Sequence, residues 1–256
     1  GGVWYGGGSW SAANNRVKTF QCPTDNSDGI TPSGGKWAYV YTGGYTIYAG
    51  SWGPTDYPGL GMTNYASNAG YIGAGDAQLC GPYFTDSKTR MTTITDGTSN
   101  TIGFGEYLGG HNPGTRDFVS VWMGTGAIPT AWGLTETSEW YQFGGRHTGG
   151  VLFGFCDGSV RSLRRGMDTN TFIYLSGMSE GVVVPADGFC PRPPETGHEP
   201  GDDANAPIVP RRDVDRRRNR VRRRAEAGPA GHAGARPGQV RGAREGGGPP
   251  AARAAP

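Results

Sequence analysis

The sequence has few charged residues, no long apolar run and only four histidines. Charged residues make up 18% of its 256 residues. No stretch reaches the roughly 18 consecutive apolar residues that a membrane-spanning helix needs. The chain begins with neither a methionine nor a signal peptide, and residues 1–4 resemble the middle of a longer chain. We therefore expect a truncated N-terminus.

Charge is divided unequally along the chain. Residues 1–189 carry 14 acidic and 10 basic side chains, whereas residues 190–256 carry 8 acidic side chains and 14 arginines. The mildly acidic first part gives no electrostatic reason to bind nucleic acid. The second part is rich in Arg, Pro, Ala and Gly, which is typical of a disordered tail. A nucleic-acid-binding arm, or frameshifted or read-through translation of GC-rich DNA, is an alternative for this tail.

Cysteine is scarce, and no two cysteines form a C-x-x-C pair. Cys22, Cys80, Cys156 and Cys190 therefore give no zinc-ribbon or thioredoxin signal. For an exported protein, the sequence leaves open a disulfide of Cys22 with Cys156 or with Cys80. The alternative is that all of them are isolated thiols.

Glycine and aromatic residues are abundant, with 47 glycines and 11% aromatics, which favours short strands and many turns. We expect an irregular segment over residues 1–20 and a long loop over 50–87. An Asp-Gly pair, Asp157-Gly158, predicts a hairpin. Asp168 is expected to cap a short helix that reaches Leu175. Strands are predicted at 37–41, 45–48, 101–106, 118–123, 151–155, 159–163 and 182–184, with Ile102 and Phe104 on one face.

Several polar residues are candidates for chemistry. The segment 96–101 superficially resembles a subtilase nucleophile loop around Ser99, but both histidines of the first part, His111 and His147, lie downstream of it. A turn stabilised by its own side chains is the simpler interpretation. Glu106 ends a predicted strand and is expected to pair with Arg146 or His147.

His147 and Asp157 form a structural clamp, a metal pair or a catalytic pair. Zinc has ligand types available in Glu106, His111, His147 and Asp157, although no spacing supports it. Calcium, with Asp96, Asp117 and Asp157 as candidate ligands, fits glycine-rich turns better. The aromatic side chains either stack on sugars or fill gaps in a small core; they are Trp4, Tyr5, Trp10, Trp37 and Trp52.

Six segments, in order, carry a family resemblance: 20–25, 63–70, 81–84, 94–102, 105–106 and 147–158. In the last, nine residues separate His147 from Asp157-Gly158. Together they resemble the prepilin-like proteins abundant in planctomycete bacteria, known as domain of unknown function 1559, a family with a prepilin-type processing-associated H-x9-D-G element. The motif residues here are Cys22, Pro23, Asp25, Asn64, Tyr65, Asn68, Gly70, Asp96, Gly97, Thr98, Ser99, Asn100, Thr101, Glu106, His147, Asp157 and Gly158.

The resemblance implies an α+β, strand-dominated, pilin-like or pseudopilin-like globular domain over residues 1–189. We expect an antiparallel sheet, long loops, few short helices and a disordered tail over 190–256. It implies a non-enzymatic structural protein of the cell envelope, periplasmic or extracellular, tied to a type II secretion or pilus-like assembly. The missing N-terminal helix would anchor the precursor in the membrane and mediate self-association or contact with other pilin-like subunits. No catalytic residue, cofactor or small-molecule substrate is implied. An extracellular calcium- or glycan-binding module is the alternative, and a hydrolase comes third.

Overall fold

The structure, a computed structural model, describes residues 4–25, 27, 34–110 and 117–184. Within these ranges strands outnumber helices, which confirms the strand-dominated α+β class. The strands are β1 (Gly35–Gly43), β2 (Thr46–Trp52), β3 (Met62–Thr63), β4 (Tyr65–Asn68), β5 (Ile102–Glu106), β6 (Phe118–Val121), β7 (Ala127–Ile128), β8 (Gly150–Phe155) and β9 (Val160–Arg164). The α-helices are α1 (Gly8–Ala13) and α2 (Thr169–Ser176), and 3-10 turns lie at Lys18–Phe20, Gly73–Gly75 and Met91–Thr93. The predicted tail, residues 190–256, lies outside the described residues.

The strands form two mixed sheets rather than the antiparallel sheet that we expected. The first has the order β2-β1-β6-β3 and the second the order β7-β4-β5-β8-β9. β1 pairs with β6 in parallel, and so does β4 with β7. Parallel strands are joined by a long crossover connection, so they lie far apart in sequence. Local sequence patterns therefore do not reveal which strands pair in parallel.

Local turn chemistry explains the two hairpins. β1 and β2 pair across a turn at Gly44, whose φ is 58°. Between β8 and β9, Asp157 Oδ1 accepts a hydrogen bond from Ser159 N at 2.9 Å. Gly158 there has a φ of 86°, a conformation that glycine adopts without strain. The β8–β9 hairpin confirms the sequence-based expectation.

Helix α2 also follows its sequence signals. The Asp168 carboxylate accepts a hydrogen bond from Thr171 N at 2.9 Å, so it caps the first turn. Gly177 ends the helix in an extended conformation. On its inner face, Phe172 and Leu175 are fully buried against the second sheet.

Four local expectations were wrong. The segment 1–20 contains α1, and the loop expected over 50–87 contains β3 and β4. Residues 182–184 form no strand. Ile102 is fully buried but Phe104 is 48% exposed, because a register irregularity between them turns the chain over.

Aromatic packing explains why a glycine-rich start folds into α1. Trp10 of α1 stacks on Trp4 at 5.9 Å and meets Trp52 of β2 edge-on at 5.8 Å. Tyr5 and Tyr57 complete this cluster around Trp52. Trp52 therefore belongs to the buried core beside the first sheet, and Trp4, Tyr5 and Trp10 pack against it as partly buried side chains. No helix of the described ranges has both the length and the apolar character needed to cross a bilayer.

Candidate functional site

Three distant parts of the chain meet at Cys22, Glu106 and His147. Cys22 Sγ lies 3.2 Å from Glu106 Oε1 and 3.4 Å from His147 Nε2. His147 Nε2 lies 3.0 Å from the same Glu106 oxygen. These three side chains, called here the Cys-Glu-His cluster, are the one group of three potential metal ligands among the described residues.

A tight turn places Cys22. Asp25 N donates a hydrogen bond to Cys22 O at 3.0 Å, which closes a four-residue turn with Pro23 at its second position. Proline favours that position because its ring fixes φ. The turn directs the Cys22 thiol inward, where only 4% of the residue is exposed.

Asn64 holds this turn against the sheets. It lies between β3 and β4, where the chain passes from the first sheet to the second. Its side-chain oxygen accepts from Cys22 N at 2.9 Å, and its amide nitrogen donates to Asp25 Oδ2 at 2.5 Å. Its backbone bonds to Phe20 O and Tyr107 N. The side-chain oxygen and nitrogen of Asn64 thus both hold the turn that contains Cys22.

Glu106 is the last residue of β5 and faces Tyr65 of β4 in the register. It is 1% exposed. Its second oxygen, Oε2, accepts a hydrogen bond from Leu152 N at 2.8 Å. A side chain at position 145 would collide with this carboxylate, so Gly145 allows the loop to approach it closely. The carboxylate orientation is therefore fixed from two sides.

His147 belongs to the loop before β8. Arg165 donates to the backbone carbonyls of His147 at 3.0 Å and Gly145 at 2.6 Å, which fixes this loop. The His147 side chain is 29% exposed. Of the two partners expected for Glu106, the structure selects His147, while Arg146 Nε lies 3.4 Å from Asp25 Oδ1.

The cluster does not have the arrangement of a catalytic relay. In a nucleophile–histidine–carboxylate triad the two partners contact different ring nitrogens, whereas here Cys22 and Glu106 both face Nε2. Burial, and to a smaller extent Glu106, raises the pKa of the Cys22 thiol. A nucleophilic cysteine needs a lowered pKa. The geometry instead directs a sulfur, an oxygen and a nitrogen toward one another.

A family model described as "Protein of unknown function (DUF1559)" matches residues 4–170 of the chain. The chain belongs to this family. No curated protein and no solved structure matches it. The matched segment includes all three residues of the cluster, so the cluster belongs to the DUF1559 region itself.

Two further motif residues of this DUF1559 protein, Asn68 and Asp96, bind main-chain groups. Asn68 is 0% exposed; its side chain donates to Ile102 O and Ser176 O, and accepts from Gly70 N. Asp96 accepts hydrogen bonds from Glu180 N and Gly181 N, both at 2.8 Å. These contacts connect β4, β5 and α2 with the segment that follows α2.

The 96–101 segment is a turn, as the simpler interpretation predicted. Asn100 N and Thr101 Oγ1 both donate to Gly97 O, at 2.9 and 3.2 Å. Thr98 O accepts from Asp157 N at 3.0 Å, which joins this turn to the β8–β9 hairpin. Ser99 is exposed. His111 lies outside the described residues.

The three candidate calcium ligands are not brought together. Asp96 and Asp157 bind backbone amides of their own surroundings, and Asp117 Oδ1 accepts from Phe118 N at 3.1 Å. They form no shared ligand group within the described residues. Asp117 and Asp157 therefore bind amides next to them in sequence, whereas Asp96 binds the amides of the segment after α2.

The described cysteines are free thiols. Burial raises the pKa of both Cys80 and Cys156 to about 11. Of the alternatives left open by the sequence, the structure has isolated thiols at Cys22, Cys80 and Cys156. Cys190 is outside the described residues.

Sequence reasoning predicted the contact of Glu106 with His147 but missed Cys22 as their neighbour. Cys22 is separated from Glu106 by 84 positions and from His147 by 125. The available signal was that each of the three belongs to a different family motif. Motif order alone does not show which motifs meet in space.

Proposed function

We propose that this DUF1559 protein is a non-enzymatic, exported structural subunit of pseudopilin-like type. It would belong to the cell envelope, in association with a type II secretion or pilus-like assembly. The observation that carries this proposal is that three polar motif residues, Asn68, Asp96 and Asp157, bind the protein's own main chain. Buried polar residues of this kind specify a rigid domain.

Asn68 is the clearest support. It is completely buried and its side-chain amide makes three hydrogen bonds, of 2.7 to 2.8 Å, to three separate segments. Asp157 and Gly158 likewise serve the β8–β9 turn. Buried polar networks of this kind rigidify a fold when every member is satisfied.

The Cys-Glu-His cluster supports a non-enzymatic role. Cys22 and Glu106 contact the same nitrogen of His147, so the ring cannot pass a proton from one to the other through its two nitrogens. The raised pKa of Cys22 also keeps its sulfur protonated near neutral pH. No small-molecule substrate follows from this arrangement.

We further propose a periplasmic or extracellular location, with self-association or contact with other pilin-like subunits. The support is the resemblance to prepilin-like proteins, whose subunits assemble through an apolar N-terminal helix. The acidic balance of residues 1–189 supports the absence of a nucleic-acid partner for this domain.

Two measurements test the proposal. Sequencing the intact gene should reveal, upstream of Gly1, a short basic leader followed by about 20 apolar residues. Fractionation of cells should then place the full-length protein in the envelope, and a variant without the apolar segment should leave that fraction. An intact gene without such a segment, or an unchanged distribution of the variant, would contradict the proposal.

A further inference from the structure

We propose that Cys22, Glu106 and His147 bind one divalent transition-metal ion of the zinc class. The ligand atoms are Cys22 Sγ, Glu106 Oε1 and His147 Nε2, and solvent completes the coordination. This site is independent of the structural role proposed above, because either can hold without the other. Its evidence is the distances, ligand types and supporting contacts of the cluster.

The distances suit a tetrahedral ion. Zinc–ligand bonds of about 2.3 Å to sulfur and about 2.0–2.1 Å to nitrogen or oxygen hold tetrahedral ligand atoms about 3.3–3.6 Å apart. The cluster has 3.4 Å between sulfur and nitrogen, 3.2 Å between sulfur and oxygen, and 3.0 Å between nitrogen and oxygen. Each pair needs to separate by only a few tenths of an ångström to admit the ion.

The ligand types select a borderline-soft metal. Thiolate, imidazole and carboxylate are the three side-chain ligands that zinc uses in proteins. A calcium or magnesium ion would require oxygen ligands, so a thiol in the group argues against both. Bound thiolate and carboxylate carry two negative charges, which together balance the charge of a divalent ion. The Cys22 proton leaves to solvent as the metal–sulfur bond forms.

Neighbouring groups orient each ligand. Leu152 N binds the Glu106 oxygen that does not face the cluster, and Asn64 binds the backbone of Cys22. Arg165 fixes the carbonyl of His147. Such outer contacts reduce the reorganisation needed on binding and are characteristic of metal sites.

Access is from one side. Cys22 and Glu106 are buried, whereas the His147 side chain is partly exposed. An ion can therefore approach beside the imidazole and keep a solvent-facing position. Once bound, it would cross-link the Cys22 turn, the end of β5 and the loop before β8.

The test is titration of the full chain with zinc, after chelator treatment and under reducing conditions. We expect the parent to bind one equivalent of zinc. The variants Cys22→Ser, Glu106→Gln and His147→Gln should each weaken zinc binding by at least about 100-fold. This is more than is lost when a residue that only orients a ligand is removed. Matched controls are Cys80→Ser, Cys156→Ser, Cys190→Ser and Glu180→Gln, which should bind zinc like the parent. Absence of binding, or equal loss in ligand and control variants, would overturn the site.

A second measurement does not depend on ligand variants that fail to fold. In a Cys80→Ser, Cys156→Ser, Cys190→Ser triple variant, Cys22 is the sole thiol, so a thiolate-to-cobalt charge-transfer band on Co²⁺ binding reports this residue alone. X-ray absorption of the zinc-bound parent should show one sulfur with two or three nitrogen or oxygen ligands. A cobalt complex without the band, or a zinc shell without sulfur, would refute the proposal.

Discussion

Replacing Asn68 with alanine is expected to destabilise the fold severely, although Asn68 touches no proposed ligand. The side chain is fully buried at the end of β4. It donates to Ile102 O at 2.8 Å and Ser176 O at 2.7 Å, and accepts from Gly70 N at 2.8 Å. Alanine leaves all three main-chain groups without this partner in a site closed to solvent.

The expected magnitude follows from these three groups. Leaving a buried donor or acceptor unsatisfied costs about 1–3 kcal/mol. We expect the free energy of unfolding to fall by about 3–5 kcal/mol, because carbonyl oxygens are less sensitive than the Gly70 amide to the loss of one bond. Natural domains have about 5–15 kcal/mol in total, so this loss is a large fraction of the stability.

Urea unfolding followed by circular dichroism measures the effect, with the slope m as a check that the same transition is compared. The matched control is Asn100→Ala, which removes an exposed side-chain hydrogen bond to Asp96 O and should cost less than about 1 kcal/mol. Equal losses in the two variants would refute the argument that burial of the Asn68 network determines its contribution.

Three further predictions concern Gly158, Glu180 and Cys156. Gly158→Val should lower the free energy of unfolding by about 1–3 kcal/mol, because valine is strained at a φ of 86°. The control is Gly154→Val, where there is open space for a side chain and φ is not positive. Similar melting temperatures of the two variants would contradict this prediction. Burial, then Asp96, raises the pKa of Glu180 to about 8. Folding therefore favours the protonated form of Glu180, so stability should fall as pH rises from about 4 to 8. In Glu180→Gln the melting temperature should fall less over this pH range than in the parent. Equal falls in both proteins would disprove the role of Glu180. Since burial raises the pKa of Cys156 to about 11, alkylation at pH 8 should be at least about tenfold slower in folded than in urea-unfolded protein, and equal rates by mass spectrometry would contradict it.

Local chemistry made part of the fold predictable from sequence. The Asp157-Gly158 turn and the Asp168 cap act within a few residues, so their signals lie next to the elements that they define. Strand β4 was missed because Tyr65–Asn68 is short and polar, and it is stabilised by neighbouring strands distant in sequence. Helix α1 was missed because packing of Trp10, not helix propensity, holds it.

The site was predictable only in part for the same reason. Glu106 was expected to pair with Arg146 or His147 because it ends a recognisable strand. The approach of Cys22 depends on Asn64 and on the crossing between sheets, which no local pattern encodes. Metal-site spacings such as C-x-x-C cover only ligands that are close in sequence.

The order in which the chain visits its two sheets governs how the domain can fold. β1, β2 and β3 belong to the first sheet, but β6, which lies between β1 and β3 there, follows two strands of the second. The hairpins can form early, whereas closure of the first sheet waits for β6, so non-local pairing should make folding slow. A product ending before Phe118 would leave β1 and β3 with unpaired edges that template aggregation. The first sheet can therefore close only after the chain has been synthesised through Val121, the last residue of β6.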